Sequence, residues 1–435
     1  MNRLFAVLLS CAISCLGTIS SPLSAQWVQT NGPYAGEISC FTVYGSRIYA
    51  GTSSGVFLTT NNGANWTEAD TSLRGSIVYA LAVSPNGASG TNLFAGTDYG
   101  VFLSTNNGSS WTAVNIGLTS TIVNALALNG TNLFTGTDGG GVFLSTNNGS
   151  NWTAVDTDLT KAAVFAFAVS STRSGGTNLF AGTGDGVFLS TNTGARWTAV
   201  NSGLTNFFIS ALVATPNGAG GANLFAGNAA TTLPVYESDG VFLSTNNGTS
   251  WTAVNSGLPN SEVWSLVASP NGSGGTNLFA GTQSGVYLTT NNGTSWTSVD
   301  SGLMNTDVIS LVVSGTNLFA GTNGSGVWRR PLSEMIATSV PQSRNDLPKQ
   351  YALEQNYPNP FNPTTSIQYA LPQASFVNLT VYDILGREVK VLVRGMQPPG
   401  YKSVTFDASQ LPSGVYLYRI QAGAYSATKK LLLMK

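Results

Sequence analysis

Between residues 26 and 332 the chain repeats one pattern of apolar and polar positions. A wholly apolar run such as Val78 to Val83 or Val263 to Ala268 is followed by a shorter one, Asn-Leu-Phe-Ala-Gly. Val-Phe-Leu-Ser and Trp-Thr-Ala-Val come next, and Asn, Gly, Ser and Thr separate all four. Runs this short, interrupted by turn formers, predict strands rather than helices. Thr-Asn-Asn-Gly joins the last two and places Asn and Gly where a tight hairpin needs positive φ. The first run has no polar positions, and is expected to be an inner strand buried on both faces.

The third strand, the hairpin and the Trp form a unit that recurs as Gly55 to Trp66, Gly100 to Trp111, Gly141 to Trp152, Gly186 to Trp197, Gly240 to Trp251 and Gly285 to Trp296. The tryptophans are 45, 41, 45, 54 and 45 residues apart, the period of a four-stranded propeller blade. The second-strand marker, Leu-Phe-Ala-Gly-Thr or a near copy, begins at Ile48, Leu93, Leu133, Leu179, Leu224, Leu278 and Leu318, one more time than the tryptophan unit. Trp27-Val28-Gln29, 39 residues before Trp66, matches a fourth strand. The expected fold is therefore all-β: a seven-bladed propeller over residues 26–332 whose N-terminal strand completes the last blade and leaves no open edge. An open solenoid is the weaker reading, because neither end shows a polar cap.

Periodicity stops after Leu332. Residues 333–350 read as a polar, Pro-containing linker. Residues 351–435 alternate apolar and polar positions with Pro and Gly at the turns, as in a small Ig-like β-sandwich of about seven strands. At the other end, residues 1–25 begin Met-Asn-Arg, continue with an apolar run from Leu4 to Leu16 and end Ser-Pro-Leu-Ser-Ala, the layout of a cleaved signal peptide. A lipoprotein reading through Cys15 would rest on Ala12-Ile13-Ser14, a poor lipobox. No stretch is long and apolar enough for a transmembrane helix.

Composition narrows the chemistry. The chain has 435 residues and no histidine, which removes Ser-His-Asp and Cys-His nucleophiles and His-ligated metals. Only 9% of residues are charged, so the clustered Lys and Arg of a nucleic-acid binder are lacking. Residues 26–332 hold 7 Lys and Arg against 13 Asp and Glu, whereas residues 347–435 hold 9 against 4. Cys40 stands alone after the signal peptide, in an apolar run that suits a buried, inert thiol. Neither a cofactor nor a metal site is expected.

Two resemblances follow from the motifs. Ser244-Thr245-Asn246-Asn247-Gly248-Thr249-Ser250-Trp251 resembles the Asp-box (BNR repeat) of sialidases, sortilin-like and xyloglucanase propellers and photosystem II assembly-factor-like propellers. Asn61, Asn106, Asn147, Asn192, Asn246 and Asn291 stand where that family has Asp. Asn can make the same turn bond, but a cation-binding role is weakened. Asn356-Tyr357-Pro358-Asn359-Pro360-Phe361-Asn362-Pro363, Val381-Tyr382-Asp383 with Gly386-Arg387, and Leu411-Pro412-Ser413-Gly414-Val415-Tyr416 resemble the type A C-terminal sorting domain of type IX secretion cargo in Bacteroidetes and their relatives. That resemblance implies the type IX machinery as partner of residues 351–435. It also implies passage through the periplasm to the outer-membrane surface or the medium.

In a propeller the loops between the second and third strands share one face with those between blades, and ligands favour that face. Asp98, Asp138, Asp185 and Asp239 fall there, as do Tyr99, Phe207, Phe208, Tyr236, Glu237 and Trp264. A glycosidase needs two carboxylates facing one bond, so a sialidase-like or xyloglucanase-like hydrolase is the enzymatic reading. The four Asp residues stand 3, 4, 2 and 2 positions before the Val of the third strand, beside or one residue from Gly, which suits turn geometry. The arginines show no sialidase-like clamp. The alternative is a non-catalytic binding face for a glycan or protein, with aromatic rings to stack on it. Blade five carries the one substantial insertion, Asn228 to Asp239, making Tyr236, Glu237 and Asp239 first candidates for contact, followed by Trp264, Tyr99, Asp98, Asp138 and Asp185.

Overall fold

The computed structural model describes residues 26–34, 36–86, 91–155, 159, 162–172, 175–217, 221–229, 239–271, 275–339, 348, 350–356, 359 and 361–434. The signal-peptide segment lies outside them. The chain divides into two compact units, residues 1–339 and 340–435.

The first unit is a seven-bladed β-propeller. Blade two shows the plan: Val78–Pro85, Thr91–Thr97, Gly100–Ser104 and Thr112–Ala113 pair antiparallel in that order. Five further sheets have the same order. The seventh sheet consists of Val308–Ser314, Asn317–Thr322, Val327–Pro331 and the N-terminal Val28–Gln29. Val28 pairs with Arg329 and Gln29 with Trp328, so chain start and propeller end share one blade, as the repeat count predicts.

Two contacts join each blade to the next. The Gly of each second strand faces the first residue of the following blade's first strand. A Cβ on Gly51, Gly96, Gly136, Gly182, Gly227, Gly281 or Gly321 would lie 2.5 to 2.9 Å from a side-chain carbon of Val78, Val123, Val164, Ile209, Val263, Val308 or Ile38, respectively. The last of these pairs closes the ring. At the outer edge, the repeated Trp reaches back to the preceding blade. Trp152 Nε1 donates to the Val114 carbonyl at 2.6 Å, Trp251 to Val200, Trp296 to Val254 and Trp27 to Val299, each at 2.7 Å. Trp66 Nε1 donates to Thr30 Oγ1 at 3.1 Å, tying blade one to the N-terminal strand.

The hairpins bear out the role assigned to Asn. Asn106 Oδ1 accepts the Ser110 N–H at 3.0 Å and the Ser104 hydroxyl at 2.9 Å, while Ser104 Oγ accepts the Gly108 N–H at 2.8 Å. The next residue is left-handed in every copy: Asn62, Asn107, Asn148, Thr193, Asn247 and Asn292 have φ between 55° and 60°. Asn tolerates this region, and a β-branched residue does not. Thr193 is the exception to the Asn rule and carries the strain.

Burial differs from expectation in one respect. The most deeply buried strand is the second: all seven residues of Thr91–Thr97 and of Ala222–Asn228 are buried. First strands such as Val263–Pro270 are largely half-buried, because one edge of each has no strand partner within its sheet. The expected linker also begins as a helix, Leu332–Ser339. Leu332 and Met335 are buried and Ile336 packs beside them in the core that contains Trp27 and Trp328. Their i, i+3, i+4 spacing gives the helix one apolar stripe.

The second unit contains two sheets among its described residues. Ala352–Leu353, Thr364–Leu371 and Gly400–Asp407 form one; Glu388–Gln397, Ser375–Tyr382, Gly414–Ala422 and Tyr425–Leu433 form the other. Ile367, Leu379, Phe406, Tyr418 and Ile420 are among the core side chains.

Two outcomes test this account by thermal melting. Trp27→Ala removes a buried ring and the bond to Val299, and should destabilise the propeller by about 3–5 kcal/mol. Thr193→Asn relieves a left-handed β-branched residue and should stabilise by about 1 kcal/mol; a lower melting temperature would contradict the strain assignment.

Candidate functional site

The face that bears the second-to-third-strand loops is built by a regular ladder. In every blade the first residue after the second strand donates its N–H to the carbonyl of the residue just before the first strand. The pairs are Ser53 to Glu37, Asp98 to Ile77, Asp138 to Ile122, Gly184 to Ala163, Ala229 to Phe208, Gln283 to Glu262 and Asn323 to Asp307, at 2.9 to 3.4 Å. Two residues on, each first strand shifts register at a bulge, which sets one residue per blade off the ladder. The bulged residues are Ser39, Tyr79, Asn124, Phe165, Ser210, Trp264 and Ile309. These two rings of seven positions surround the mouth of the propeller and vary from blade to blade.

The four candidate aspartates separate into two kinds. Asp98 and Asp138 belong to the ladder, and Asp98 Oδ1 also accepts the Ile77 N–H at 3.0 Å. Asp138 borders a groove of about 700 Å³ with Thr119, Ile122, Gly140 and Phe143. Asp185 and Asp239 sit one position further out, where Tyr99 sits in blade two. Their carbonyls, like that of Tyr99, accept from Asn201, Asn255 and Asn115 at the exits of the fourth strands. Asp239 Oδ2 accepts the Thr205 hydroxyl at 2.5 Å. Tyr99 is exposed, and Trp264 is half-buried with no partner for its indole N–H. Tyr236 and Glu237 lie outside the described residues.

Sequence reasoning missed Glu37, Glu262 and Asp307. All three occupy the position before the first strand, on the consecutive blades six, seven and one, where the other four blades carry Ile77, Ile122, Ala163 and Phe208. Aligning the repeats on the opening Val or Ile of the first strand, rather than on the third strand, would have exposed them. Asp307 Oδ2 accepts the Asn323 amide at 3.0 Å, while Oδ1 is shut off from solvent without a partner. Among the described residues no ion pair engages these acids. On the apolar side, the rings of Phe165 and Phe208 lie 4.6 Å apart at 35°.

Charge and burial act together on this mouth. Although Glu37 is exposed as a residue, partial burial of its carboxyl and then the nearby charge of Asp307 raise its pKa. Tyr79 is raised by burial first, then by Asp98, Glu37 and Asp138, so several carboxylates from three blades share one neighbourhood. Burial, chiefly, pushes the thiol pKa of the half-buried Cys40 up to about 12, which disfavours the reactive thiolate near neutral pH.

The motifs of the second unit are structural. Asn356 is buried; its N–H donates to Tyr418 Oη at 2.7 Å and its amide to Thr365 at 3.0 Å. The Tyr418 hydroxyl in turn donates to the Glu354 carbonyl at 2.7 Å, and burial pushes its pKa up to about 12. Asp383 Oδ1 accepts the N–H groups of Leu385 and Arg387, closing the turn around Gly386.

The fold and the loop face define a seven-bladed β-propeller joined to a β-sandwich. Residues 355–434 match the secretion system C-terminal sorting domain. The chain is thus a β-propeller protein exported by the type IX secretion system to the cell surface or beyond. No curated protein matches it. Among solved structures, it is similar to the extracellular domain of the putative one component system BT4673 from B. thetaiotaomicron, with 17% identity and a TM-score of 0.56 over 79% of this chain and 44% of that one. It is also similar to PorZ, a surface component of the type IX secretion system of Porphyromonas gingivalis, with 17% identity and a TM-score of 0.51 over 94% and 61%. YCF48 bound to D1 peptide matches at 13% identity and a TM-score of 0.51 over 71% and 97%. The chain spans less than two thirds of the BT4673 and PorZ chains, and these likenesses concern fold alone. Among the described residues no helix is long and apolar enough to cross a membrane.

Replacing Glu37 tests the electrostatics of the mouth. An acid whose pKa is raised by folding costs nothing below its unfolded pKa and destabilises as pH rises toward the folded one. Glu37→Gln should therefore raise the melting temperature at about pH 8 and leave it unchanged at about pH 3. Burial of the carboxyl is the larger cause of the effect and the charge of Asp307 the smaller.

Proposed function

We propose that the propeller is a non-catalytic binding module, carried outside the cell by the sorting domain, that holds a partner on the face bearing the ladder and the bulges. The observation that carries this reading is where the repeats stop being repeats. Glycines, tryptophans and hairpins recur almost unchanged, while the two rings at the mouth carry Glu, Ile, Ala, Phe and Asp in one and Ser, Tyr, Asn, Phe, Trp and Ile in the other. Positions that vary from blade to blade, partly exposed on one face and rich in aromatic and charged groups, suit recognition. The candidate contacts from sequence, Asp98, Asp138 and Trp264, belong to this face; Tyr99, Asp185 and Asp239 lie on its outer side. The YCF48 structure, a similar propeller, was determined with a peptide bound, which supports the reading by analogy of fold.

The enzymatic alternative draws on the likeness in fold to a GH74 xyloglucanase from Xanthomonas campestris, and would need two of the aspartates to face one glycosidic bond. Asp98 holding the Ile77 amide favours a turn role. The test presents the secreted protein to glycan and peptide arrays and to a panel of chromogenic glycosides. Saturable binding weakened by Phe208→Ala, without turnover, is expected. Turnover abolished by Asp98→Asn or Asp138→Asn would overturn the proposal.

A further inference from the structure

The sorting domain carries an apolar patch that its own folding does not use. The turn between Ser375–Tyr382 and Glu388–Gln397 is Asp383-Ile384-Leu385-Gly386-Arg387, and it is closed from within. Asp383 Oδ1 accepts the N–H groups of Leu385 and Arg387 at 2.9 and 3.0 Å, Asp383 Oδ2 accepts Arg387 Nε at 2.7 Å, and the Gly386 N–H reaches the Asp383 carbonyl at 3.0 Å. Gly386 supplies the left-handed residue, at φ 79°. Nothing in that geometry calls for apolar side chains at the two positions between, where turns ordinarily carry polar residues. Ile384 and Leu385 nevertheless stand there, 73% and 72% exposed.

Register extends the patch onto the outer face of the sheet. Val377, Leu379 and Val381, with Tyr416, Tyr418 and Ile420, belong to the sandwich core, so the alternate residues Tyr382, Val415, Leu417, Lys430 and Leu432 share the opposite face. Tyr382 lies opposite Leu417, Leu417 opposite Lys430 and Val415 opposite Leu432, and the turn leaves the sheet at this same end. Val415 is 39% exposed, and Leu417 and Leu432 are half-buried. Arg387, Arg419 and Lys430 border these side chains, Arg419 with its guanidinium 5.3 Å from the centre of the Tyr382 ring. The two acids at this end are each beside an arginine, Asp383 at 2.7 Å from Arg387 and Glu388 at 3.9 Å from Arg394. Among the described residues Arg419 and Lys430 have no acid partner. The border is net positive.

We propose that this patch is the surface by which the sorting domain docks on the type IX export machinery, with Ile384 and Leu385 entering an apolar pocket that has an acidic rim. It does not rest on the binding reading of the propeller. Residues 355–434 match the sorting domain, which implies contact with that machinery. Two of the motifs that mark the domain build the patch: Val381-Tyr382-Asp383 with Gly386-Arg387 forms the turn, and Leu411 to Tyr416 contributes Val415. A contiguous exposed apolar patch with a charged border is the mark of an interaction site. A second copy of the chain fits it poorly, because facing patches would set Arg387, Arg419 and Lys430 against their like. A lipid surface needs no fixed geometry, whereas the bonds of the turn hold Ile384 and Leu385 in one arrangement before contact. That preorganisation lowers the ordering cost of entering a shaped pocket.

The experiment follows the full-length chain in cells that carry the type IX machinery, and measures the share that reaches the surface or medium against the share held in the periplasm. Ile384→Asn with Leu385→Ser places turn formers at exposed positions, so the melting temperature should stay unchanged while export falls about tenfold. Arg419→Gln with Lys430→Gln should lower export about threefold. Phe376→Ser with Met396→Ser alters an exposed cross-strand pair at the far end of the same face and should leave export unchanged. A second readout isolates docking: an overproduced wild-type chain should compete with a tagged wild-type chain for export, and the Ile384/Leu385 variant should not. A folded Ile384/Leu385 variant that is exported normally, or that still competes, overturns the inference. So does an equal loss of export from the Phe376/Met396 pair, since apolarity in general would then be what is read. Binding of the purified protein to phosphatidylglycerol vesicles, abolished in the Ile384/Leu385 variant, would assign the patch to a lipid surface and overturn the protein pocket.

Discussion

Everything in the propeller depends on how closely one blade's second strand lies against the next blade's first. Seven times, a glycine leaves room for a Val or Ile that a Cβ would strike at under 3 Å. The last of these meetings, Gly321 with Ile38, converts a row of blades into a ring, and at that point the N-terminal strand completes the seventh sheet. A single methyl group at any of the seven glycines would push two sheets apart along their whole length, since packed cores give little. This explains why Gly persists in every second strand, including the third, where Thr135 replaces the preceding Ala. Tryptophans do the same at the outer edge, where Trp27, Trp152, Trp251 and Trp296 each reach a carbonyl of the preceding blade.

A ring built from identical joints has one place where the blades can differ without loosening it. The ladder at the mouth uses backbone N–H and carbonyl groups, so any side chain can occupy its positions. The bulge beside it turns one further residue per blade out of register. Glu262, Asp307 and Glu37 gather on three consecutive blades, with Ile77, Ile122 and Phe208 opposite. Symmetry of backbone and asymmetry of side chains thus coexist on one face. The hairpins at the other end are closed by bonds among their own Ser, Asn and Gly residues, which leaves them few polar groups to offer a ligand.

Much of the fold was legible beforehand. The Trp spacing, the extra second-strand marker and Trp27-Val28-Gln29 led to seven blades and to the shared last sheet, because each is a local pattern repeated at a fixed period. The helix at Leu332–Ser339 was less legible: Leu332, Met335 and Ile336 are spaced for it, but eight residues directly after the last propeller strand are too few to establish a helical period. The second strand proved more deeply buried than the first because an inner strand leaves one edge unpaired, which no hydrophobicity pattern reveals. Of the candidate aspartates, Asp98 and Asp138 share the ladder while Asp185 and Asp239 stand outside it, although in sequence all four are simply acids near a glycine.

By itself the sequence determined the number of blades, the hairpin chemistry, the closing strand and the sorting domain. These follow from local periods and motifs whose physics is contained within one blade or one turn. Only the tertiary structure decided which residues form the mouth. Glu37 and Asp307 are separated by 270 residues along the chain and interact only because the ring returns blade seven to blade one. Their shared electrostatics is a property of that closure and of no segment alone.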